Sequence, residues 1–392
     1  MTNVTEEKKE NKVKEKNQDK VKKREKIWDI VKGIGIISIV IGHTTPISNL
    51  HEFVYTYHLA IFYFVSIYFY DERKYGDKPF AYFGNKIRKT WGRYFFYTLI
   101  LILMHNLFYK LNMYFFPILP LDKASILAEI LRSMLFMCTE RFGGALWFVP
   151  TLLFATGLFG GIVYCARRIS RSVIDIDEEK RKYIKYILII LLSMFLGYIG
   201  VYLNENEFML IYYIHTSFLV IPICMLGYFF HEYVEDFKKF NKLYITIPIF
   251  IISGIFLYMI VKNGMIIALA TQQIINGYMF YLVSFVGIMY CISLASIIEK
   301  IPGIKDAVSL CGKQSFAIMA LHFACIKGVD VIYSKIIHET NPKIISNWVS
   351  TYPEKLWIIY LIVGCVVPVI FGLLTEKLRR ILNGEKNEKQ KN

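Results

Sequence analysis

Hydrophobic residues along the chain gather into ten long apolar runs, which short polar or charged segments separate. Runs of about 20 residues have the length that an α-helix needs to cross the hydrocarbon core of a bilayer. They cover residues 28–47, 53–70, 93–114, 146–165, 184–203, 208–230, 243–261, 278–298, 315–334 and 356–375. The pattern predicts an all-α, polytopic membrane protein with about ten transmembrane helices.

The two ends of the chain lack such runs. Residues 1–26 and 381–392 are rich in charged and polar residues and lack the apolar side chains that a folded core needs. We therefore expect two disordered cytoplasmic tails around a membrane-embedded domain at 27–380. The basic first tail either touches the anionic head groups of membrane lipids or serves only as a solubilising segment.

Composition and charge narrow the class of protein further. With 55% hydrophobic residues and a mean hydropathy of +0.41, the chain is too apolar for a soluble domain. The net charge of +15 would suit a nucleic-acid partner, but its distribution argues against one. If the N-terminus is inside, the cytoplasmic segments hold 36 of the 46 Lys and Arg residues and the outer segments hold eight. This excess indicates a multi-pass protein of the plasma or inner membrane with both termini cytoplasmic.

Metal-binding residues do not cluster along the sequence. The seven cysteines lie mostly inside apolar runs, without a C-x-x-C pair. We therefore expect no metal site and no disulfide framework, and the chain shows no internal repeat.

The stretch 27–44, "IWDIVKGIGIISIVIGHT", is apolar yet carries Asp29, Lys32 and His43. In a helix entered from the cytoplasm, Lys32 lies near the inner face and His43 lies about 16 Å further out, at 1.5 Å per residue. The step of eleven positions from Lys32 to His43 completes three turns, so both side chains share one face. Ionisable groups inside a span usually face the protein interior or a wet cavity. We interpret this stripe as a polar path across the membrane, although Lys32 could also snorkel to the inner interface.

Four stretches stand out in order along the chain: "WDIVKGIGIISIVIGH", "YHLAIFYFVSIYFY", "ALWFVPTLLF" and "CGKQSFAIMALH". Together they resemble the motifs of the acyltransferase 3 family of integral membrane sugar O-acyltransferases. The first is similar to that family's first-helix motif, an Asp followed by Arg or Lys, ten residues and a His. Asp29, Lys32 and His43 fill those positions. Ile67 departs from the family, which usually has Gly after Ser66.

The resemblance implies that an acyl group, most often acetyl from cytoplasmic acetyl-CoA, is transferred to a sugar hydroxyl. The acceptor would belong to a cell-surface polysaccharide, a glycolipid or another lipid-linked sugar. The first stretch looks most like the fucose 4-O-acetylase-like, exopolysaccharide-modifying branch. The implied partners are therefore an acyl-CoA and a saccharide, with no nucleic acid and no metal.

The residue types in the first run suit this chemistry independently of the family resemblance. Attack of a hydroxyl on a thioester needs a group that takes up the proton, and His does so near neutral pH. His43 is expected to be that base, or to carry the acyl group transiently. Lys32 is expected to contact a CoA phosphate or complete the polar path, with Asp29 orienting it. The inner cations expected to contact CoA phosphates, or only to set orientation, are Lys86, Arg88 and Arg93.

Five further residues are expected to bind the acceptor. His58 and His322 are included because they lie in the resembling motifs, and Trp147 because an indole offers a platform for a sugar ring. Glu140 and Arg141 precede Trp147 on the outer side. Each also has an ordinary interpretation: a packing histidine, an interfacial tryptophan or an exposed ion pair.

Two other classes of membrane protein have comparable patterns. A transporter or exporter of a polysaccharide precursor also has many spans and intramembrane charge, but usually shows repeat symmetry and interrupted helices. A membrane-bound O-acyltransferase of the Asn/His type would need a late buried His with an upstream Asn. His322 alone is weak support for that type.

Overall fold

The computed structural model describes residues 26–114, 118–174, 176–233, 241–274, 276–338 and 349–382. Within these ranges the secondary structure is helical, apart from an isolated antiparallel bridge between Ala268 and Gln273. The predicted all-α class is confirmed for this part of the chain. The two predicted tails lie almost wholly outside the described residues.

Helices follow one another along the chain with short connections. They are α1 Lys26–Thr44, α2 Ser48–Tyr55, α3 Ala60–Tyr68, α4 Glu72–Tyr75, α5 Pro79–Lys110, α6 Lys123–Met134, α7 Phe148–Ser172, α8 Glu178–Glu205, α9 Ile214–Leu219, α10 Ile221–Tyr233, α11 Leu243–Lys262, α12 Gly277–Ile298, α13 Ile304–Lys313, α14 Ser315–Ile336 and α15 Pro353–Leu382. Short 3₁₀ turns lie at Arg141–Trp147, Ile211–Tyr213 and Leu269–Thr271.

In the described part of the chain, seven helices are long and apolar enough to cross a membrane. They are α1, the continuous helix Arg141–Ser172 that contains α7, and α8, α11, α12, α14 and α15. The count rises to eight if α9 and α10, which bend by 55° at a break between them, form one broken span. The chain is therefore a multi-pass helical membrane protein.

The two remaining apolar runs, 53–70 and 93–114, have a different local structure. A turn at 56–59 divides the first into the end of α2 and the nine-residue α3. The second is the C-terminal part of α5, a 32-residue helix that begins with a charged half. An average of hydropathy over a window does not register a turn within an apolar run. The prediction from sequence therefore treated α2 and α3 as parts of one helix.

Helix α3 lies at the centre of the bundle, against α7, α10 and α12. Small residues on its neighbours let it approach closely, as is common between membrane helices. A Cβ added at Gly227 would lie 2.3 Å from the Phe64 carbonyl oxygen, and one at Gly35 would lie 2.6 Å from the Ile61 side chain. Ile67, where the family usually has Gly, is fully buried.

Helix α1 packs against α13 with their backbones in contact. A Cβ added at Gly312 would lie 1.8 Å from the Asp29 carbonyl oxygen, and one at Gly33 would lie 2.0 Å from the Val308 carbonyl oxygen. We refer below to the Lys32 end of the bundle, where α1 begins, and the His43 end, where α1 stops. Helix α3 runs antiparallel to α1. Its C-terminal residue Tyr68 packs on Trp28, near the start of α1, with ring centroids 4.1 Å apart.

A cluster of four charged residues and a tyrosine connects α4 and its flanking turn to α7, α8 and α10; its members are Glu72, Asp77, Arg167, Lys185 and Tyr228. The Glu72 carboxylate accepts hydrogen bonds from Arg167 at 2.6 Å, Lys185 at 2.8 Å and the Tyr228 hydroxyl. Burial raises the pKa of Glu72, but the hydrogen bonds from Lys185, Tyr228 and Arg167 outweigh it and hold that pKa below its ordinary value of 4.5. Arg167 also pairs with Asp77 at 2.9 Å and lowers the pKa of that carboxyl. We call these five residues the Glu72 cluster.

Candidate active site

A cavity of about 330 Å³ lies at the His43 end of the bundle. Its wall is mostly apolar, and its polar side chains come from distant parts of the sequence: His43, Tyr55, Thr56, His58, Trp147, Tyr213 and Ser284. Ile267, Leu269 and Ala270, from the connection between α11 and α12, line another part of the wall. The volume is at the small end of the range of about 300–1,000 Å³ that is usual for small-molecule pockets.

His43 lies in the last turn of α1 and forms part of the cavity wall. Its ring stacks on His322 with centroids 5.4 Å apart and planes inclined by 24°. Phe323 packs against it at 4.8 Å, and Tyr55 meets it edge-on at 6.5 Å. His43 therefore points into the protein and reaches the cavity, as a catalytic base must.

His322 lies directly behind His43 and is fully buried. Its Nδ1 lies 2.8 Å from the Ile318 carbonyl oxygen and 3.1 Å from that of Met319. Since carbonyl oxygens only accept, Nδ1 must carry the hydrogen and Nε2 must be the unprotonated nitrogen of the neutral ring. Among the described residues, nothing hydrogen-bonds to this Nε2.

His58 is held in the same way on another wall of the cavity. Its Nδ1 lies 2.9 Å from the Val54 carbonyl oxygen, so Nδ1 donates and Nε2 keeps its lone pair. The ring is packed against Tyr55, with centroids 4.5 Å apart. Both histidines singled out by the motifs thus have one nitrogen fixed by a backbone carbonyl.

Trp147 ends the 3₁₀ turn Arg141–Trp147 and lines the cavity. Glu140 caps the start of this turn by accepting hydrogen bonds from the backbone N–H groups of Phe142 at 2.8 Å and Gly143 at 3.2 Å. The buried Glu140 carboxylate also accepts from the Tyr114 hydroxyl. Neither Glu140 nor the exposed Arg141 lines the cavity. The structure therefore gives Glu140 the role of fixing the turn that presents Trp147.

Lys32 and Asp29 lie at the other end of α1. Lys32 Nζ is 2.7 Å from Asp29 Oδ1, in an ion pair that is partly exposed. Neither residue lines the cavity, and between Lys32 and His43 the side chains of Ile36 and Ile39 are buried. The predicted neighbours Asp29 and Lys32 are thus paired, but at a distance from the histidines.

The predicted CoA-binding cations lie in the first half of α5. Lys86 is partly buried, with its Nζ 3.5 Å from the Ser66 carbonyl oxygen and above the Tyr82 ring at 5.4 Å from its centroid. Arg88 and Arg93 are exposed on the helix. Ser66 lies near the C-terminal end of α3, which places Lys86 toward the Lys32 end.

Sequence reasoning missed Tyr55, Tyr213 and Ser284 as cavity residues. Tyr55 lies three residues before His58, so helical spacing near a selected histidine could have suggested it. Tyr213 and Ser284 have no comparable signal, because the left-handed turn before α9 and the packing of α12 bring them to the cavity. In the described residues, no group of three or more His, Cys, Asp or Glu side chains is placed to hold a metal ion.

Comparison with known families gives a match over nearly the whole chain. A family model described as an acyltransferase domain matches residues 25–377. No curated protein and no solved structure gives a significant match.

Proposed function

The chain belongs to the acyltransferase 3 family, and on that premise we propose that it is a membrane O-acyltransferase with acetyl-CoA as donor. The acceptor in this proposal is a sugar hydroxyl of a cell-surface polysaccharide or a lipid-linked precursor. The observation that carries the proposal is the position of His43, which lines a cavity of small-molecule size.

In the proposed reaction, His43 takes the proton from the attacking sugar hydroxyl. The sugar oxygen forms a bond to the thioester carbonyl carbon, and the bond from that carbon to sulfur breaks. His43 then returns the proton to the departing thiolate, so CoA leaves as a thiol. The stacked ring of His322 holds the His43 ring in place, and His58 presents an unprotonated Nε2 that can accept from a second sugar hydroxyl.

The donor is proposed to bind at the Lys32 end. Lys32, oriented by Asp29, and the α5 cations Lys86, Arg88 and Arg93 would contact the phosphates of CoA. The acyl-thiol arm would then reach toward His43 along α1. This requires a passage beside Ile36 and Ile39.

We further propose ten spans: the seven apolar helices, the broken pair α9–α10, the segment α2–α3 and the helix α5. Both termini are then cytoplasmic, as the 36-to-8 division of Lys and Arg favours. This arrangement puts the Lys32 end at the cytoplasm, where acetyl-CoA is made, and the His43 end toward the outer face. The membrane in question is the plasma or inner membrane.

An exporter of a polysaccharide precursor is the second candidate. The observation that favours it is the 55° break between α9 and α10, since broken helices commonly line transport sites. A strain carrying His43→Gln separates the two candidates. Loss of surface-glycan acetylation with normal export supports the acyltransferase, whereas loss of export with intact acetylation supports the exporter.

A further inference from the structure

Two aromatic rings form a corner in the wall of the cavity. Trp147, from the 3₁₀ turn before α7, and Tyr213, from the turn before α9, pack with centroids 4.9 Å apart and planes inclined by 44°. Both residues line the cavity and are only partly buried. We call this pair the aromatic corner. Its rings offer a broad apolar surface in the cavity that His43 and His58 also line.

The backbone that presents Tyr213 has an unfavourable conformation. Tyr212 and Tyr213 are consecutive left-handed residues, with φ of 57° and 54°. This region is disfavoured for bulky L-residues and is rarely occupied by two of them in a row. Such strain is found disproportionately at ligand-binding and active sites. In this turn the left-handed backbone points the two tyrosine rings in different directions. Tyr213 reaches the cavity, while Tyr212 packs on Phe154 with ring centroids 5.7 Å apart.

Hydrogen-bonding groups line the same cavity as these rings. Ser284 is 1% exposed and lines the cavity, and among the described residues its hydroxyl has no hydrogen-bond partner. A buried hydroxyl without a partner is unfavourable unless a ligand or water supplies one. His58 adds a nitrogen lone pair. The cavity therefore combines an apolar aromatic surface with separate hydrogen-bond acceptors and donors.

We propose that the aromatic corner is the acceptor subsite, where the C–H face of one pyranose ring stacks on Trp147 and Tyr213. The hydroxyl edge of that ring bonds to Ser284 and His58, and one hydroxyl points to His43. A pyranose matches the wall because it has an apolar C–H face and a hydroxyl-bearing rim. This inference rests on the proposed function, since His43 is taken as the base that receives the proton.

The cavity size restricts the form of the acceptor. A volume of about 330 Å³ is at the small end of the range for small-molecule pockets, so the proposed subsite is sized for a single sugar ring.

The test measures sugar binding separately from acyl transfer. The full-length protein in lipid nanodiscs is titrated with a panel of methyl pyranosides, and an acyclic hexitol serves as a probe without a flat C–H face. Saturation-transfer NMR identifies the sugar protons that contact the protein, and the titration gives Kd. Tyr213→Gly and Tyr212→Gly are a matched pair: each removes a tyrosine ring and relieves left-handed strain, but only Tyr213 lines the cavity.

We expect wild type and Tyr212→Gly to bind at least one pyranoside with the same Kd, with contacts concentrated on its C–H face. Tyr213→Gly should raise that Kd about tenfold, the size of effect expected for a lost aromatic contact. Tyr213→Phe, which keeps the ring, should bind like wild type.

Equal Kd values for Tyr212→Gly and Tyr213→Gly, or no pyranoside binding by wild type, would overturn the subsite. A different outcome is expected if the subsite is correct but the proposed acyltransferase function is wrong. In that case the protein binds pyranosides through the corner but transfers no acetyl from acetyl-CoA.

Discussion

The rings of His43 and His322 stack 5.4 Å apart, although one lies in the first helix and the other in α14. This contact connects the cavity to the centre of the bundle, because His322 is fully buried and bonded to its own helix through Nδ1. His43 thus reaches the cavity while its orientation is set by a rigid neighbour. The relationship explains how a histidine near the end of a membrane helix can be held in one orientation.

Removal of the His322 ring should reduce turnover more than substrate binding. His322→Ala should lower kcat by about 10- to 100-fold, because small misplacements of a catalytic group have effects of this size. The KM for acyl-CoA should change little. His322→Phe, which preserves an aromatic contact, should lie between Ala and wild type. A His322→Ala variant with wild-type kcat would mean that the residue only fills space.

Lys32 should act on the donor. Lys32→Ala should raise the KM for acetyl-CoA about tenfold, while the KM for the sugar acceptor stays the same. Lys32→Arg keeps the charge and should retain most of the activity. Steady-state kinetics with each substrate varied in turn checks this, and an increased acceptor KM with an unchanged donor KM would reverse the assignment.

From the sequence, helical periodicity alone places His43 on the face of Lys32 and gives its depth, and the structure puts it at the cavity; its catalytic role stays a prediction. The sequence predicted His322 and His58 only through their resemblance to family motifs, and spacing could not show that His322 stacks on His43. Tyr213 was not predicted because its position depends on consecutive left-handed residues in the turn before α9. The turn at 56–59 was missed because the residues on both sides of it are apolar. Local patterns define faces and spans, whereas tertiary packing defines the site.

Contact between α1 and α13 should be sensitive to a single methyl group. Gly312→Ala would place a Cβ 1.8 Å from a backbone oxygen of α1 and should destabilise the protein by about 1–3 kcal/mol. The matched control is Gly328→Ala in α14, where a Cβ meets nothing within 4 Å. That change should be neutral or slightly stabilising, since glycine is unfavourable within a helix. Thermal unfolding in detergent measures both, and equal Tm values for the two variants would contradict the close packing.

The Glu72 cluster should make the stability of the fold depend on pH in the acid range. Because the folded-state pKa of Glu72 lies below its ordinary value of 4.5, the ionised carboxylate stabilises the fold fully above that pH. This contribution declines as pH falls below 4.5 through the folded-state pKa, since the unfolded chain then binds more protons. Glu72→Gln should lower stability at neutral pH by about 1–3 kcal/mol and flatten the decline in acid. A Tm that falls equally with pH in wild type and Glu72→Gln would exclude this carboxylate as the cause.

The central claim is that His43 is the base for acyl transfer, and its direct test is acetyl transfer by purified protein in liposomes. Labelled acetyl-CoA is supplied with a saccharide acceptor, and wild type is compared with His43→Gln and with a control, His338→Asn, at an exposed histidine. We expect wild type and the control to transfer acetyl equally, and His43→Gln to be slower by at least about 100-fold with unchanged Tm. Wild-type rates in His43→Gln would contradict the account.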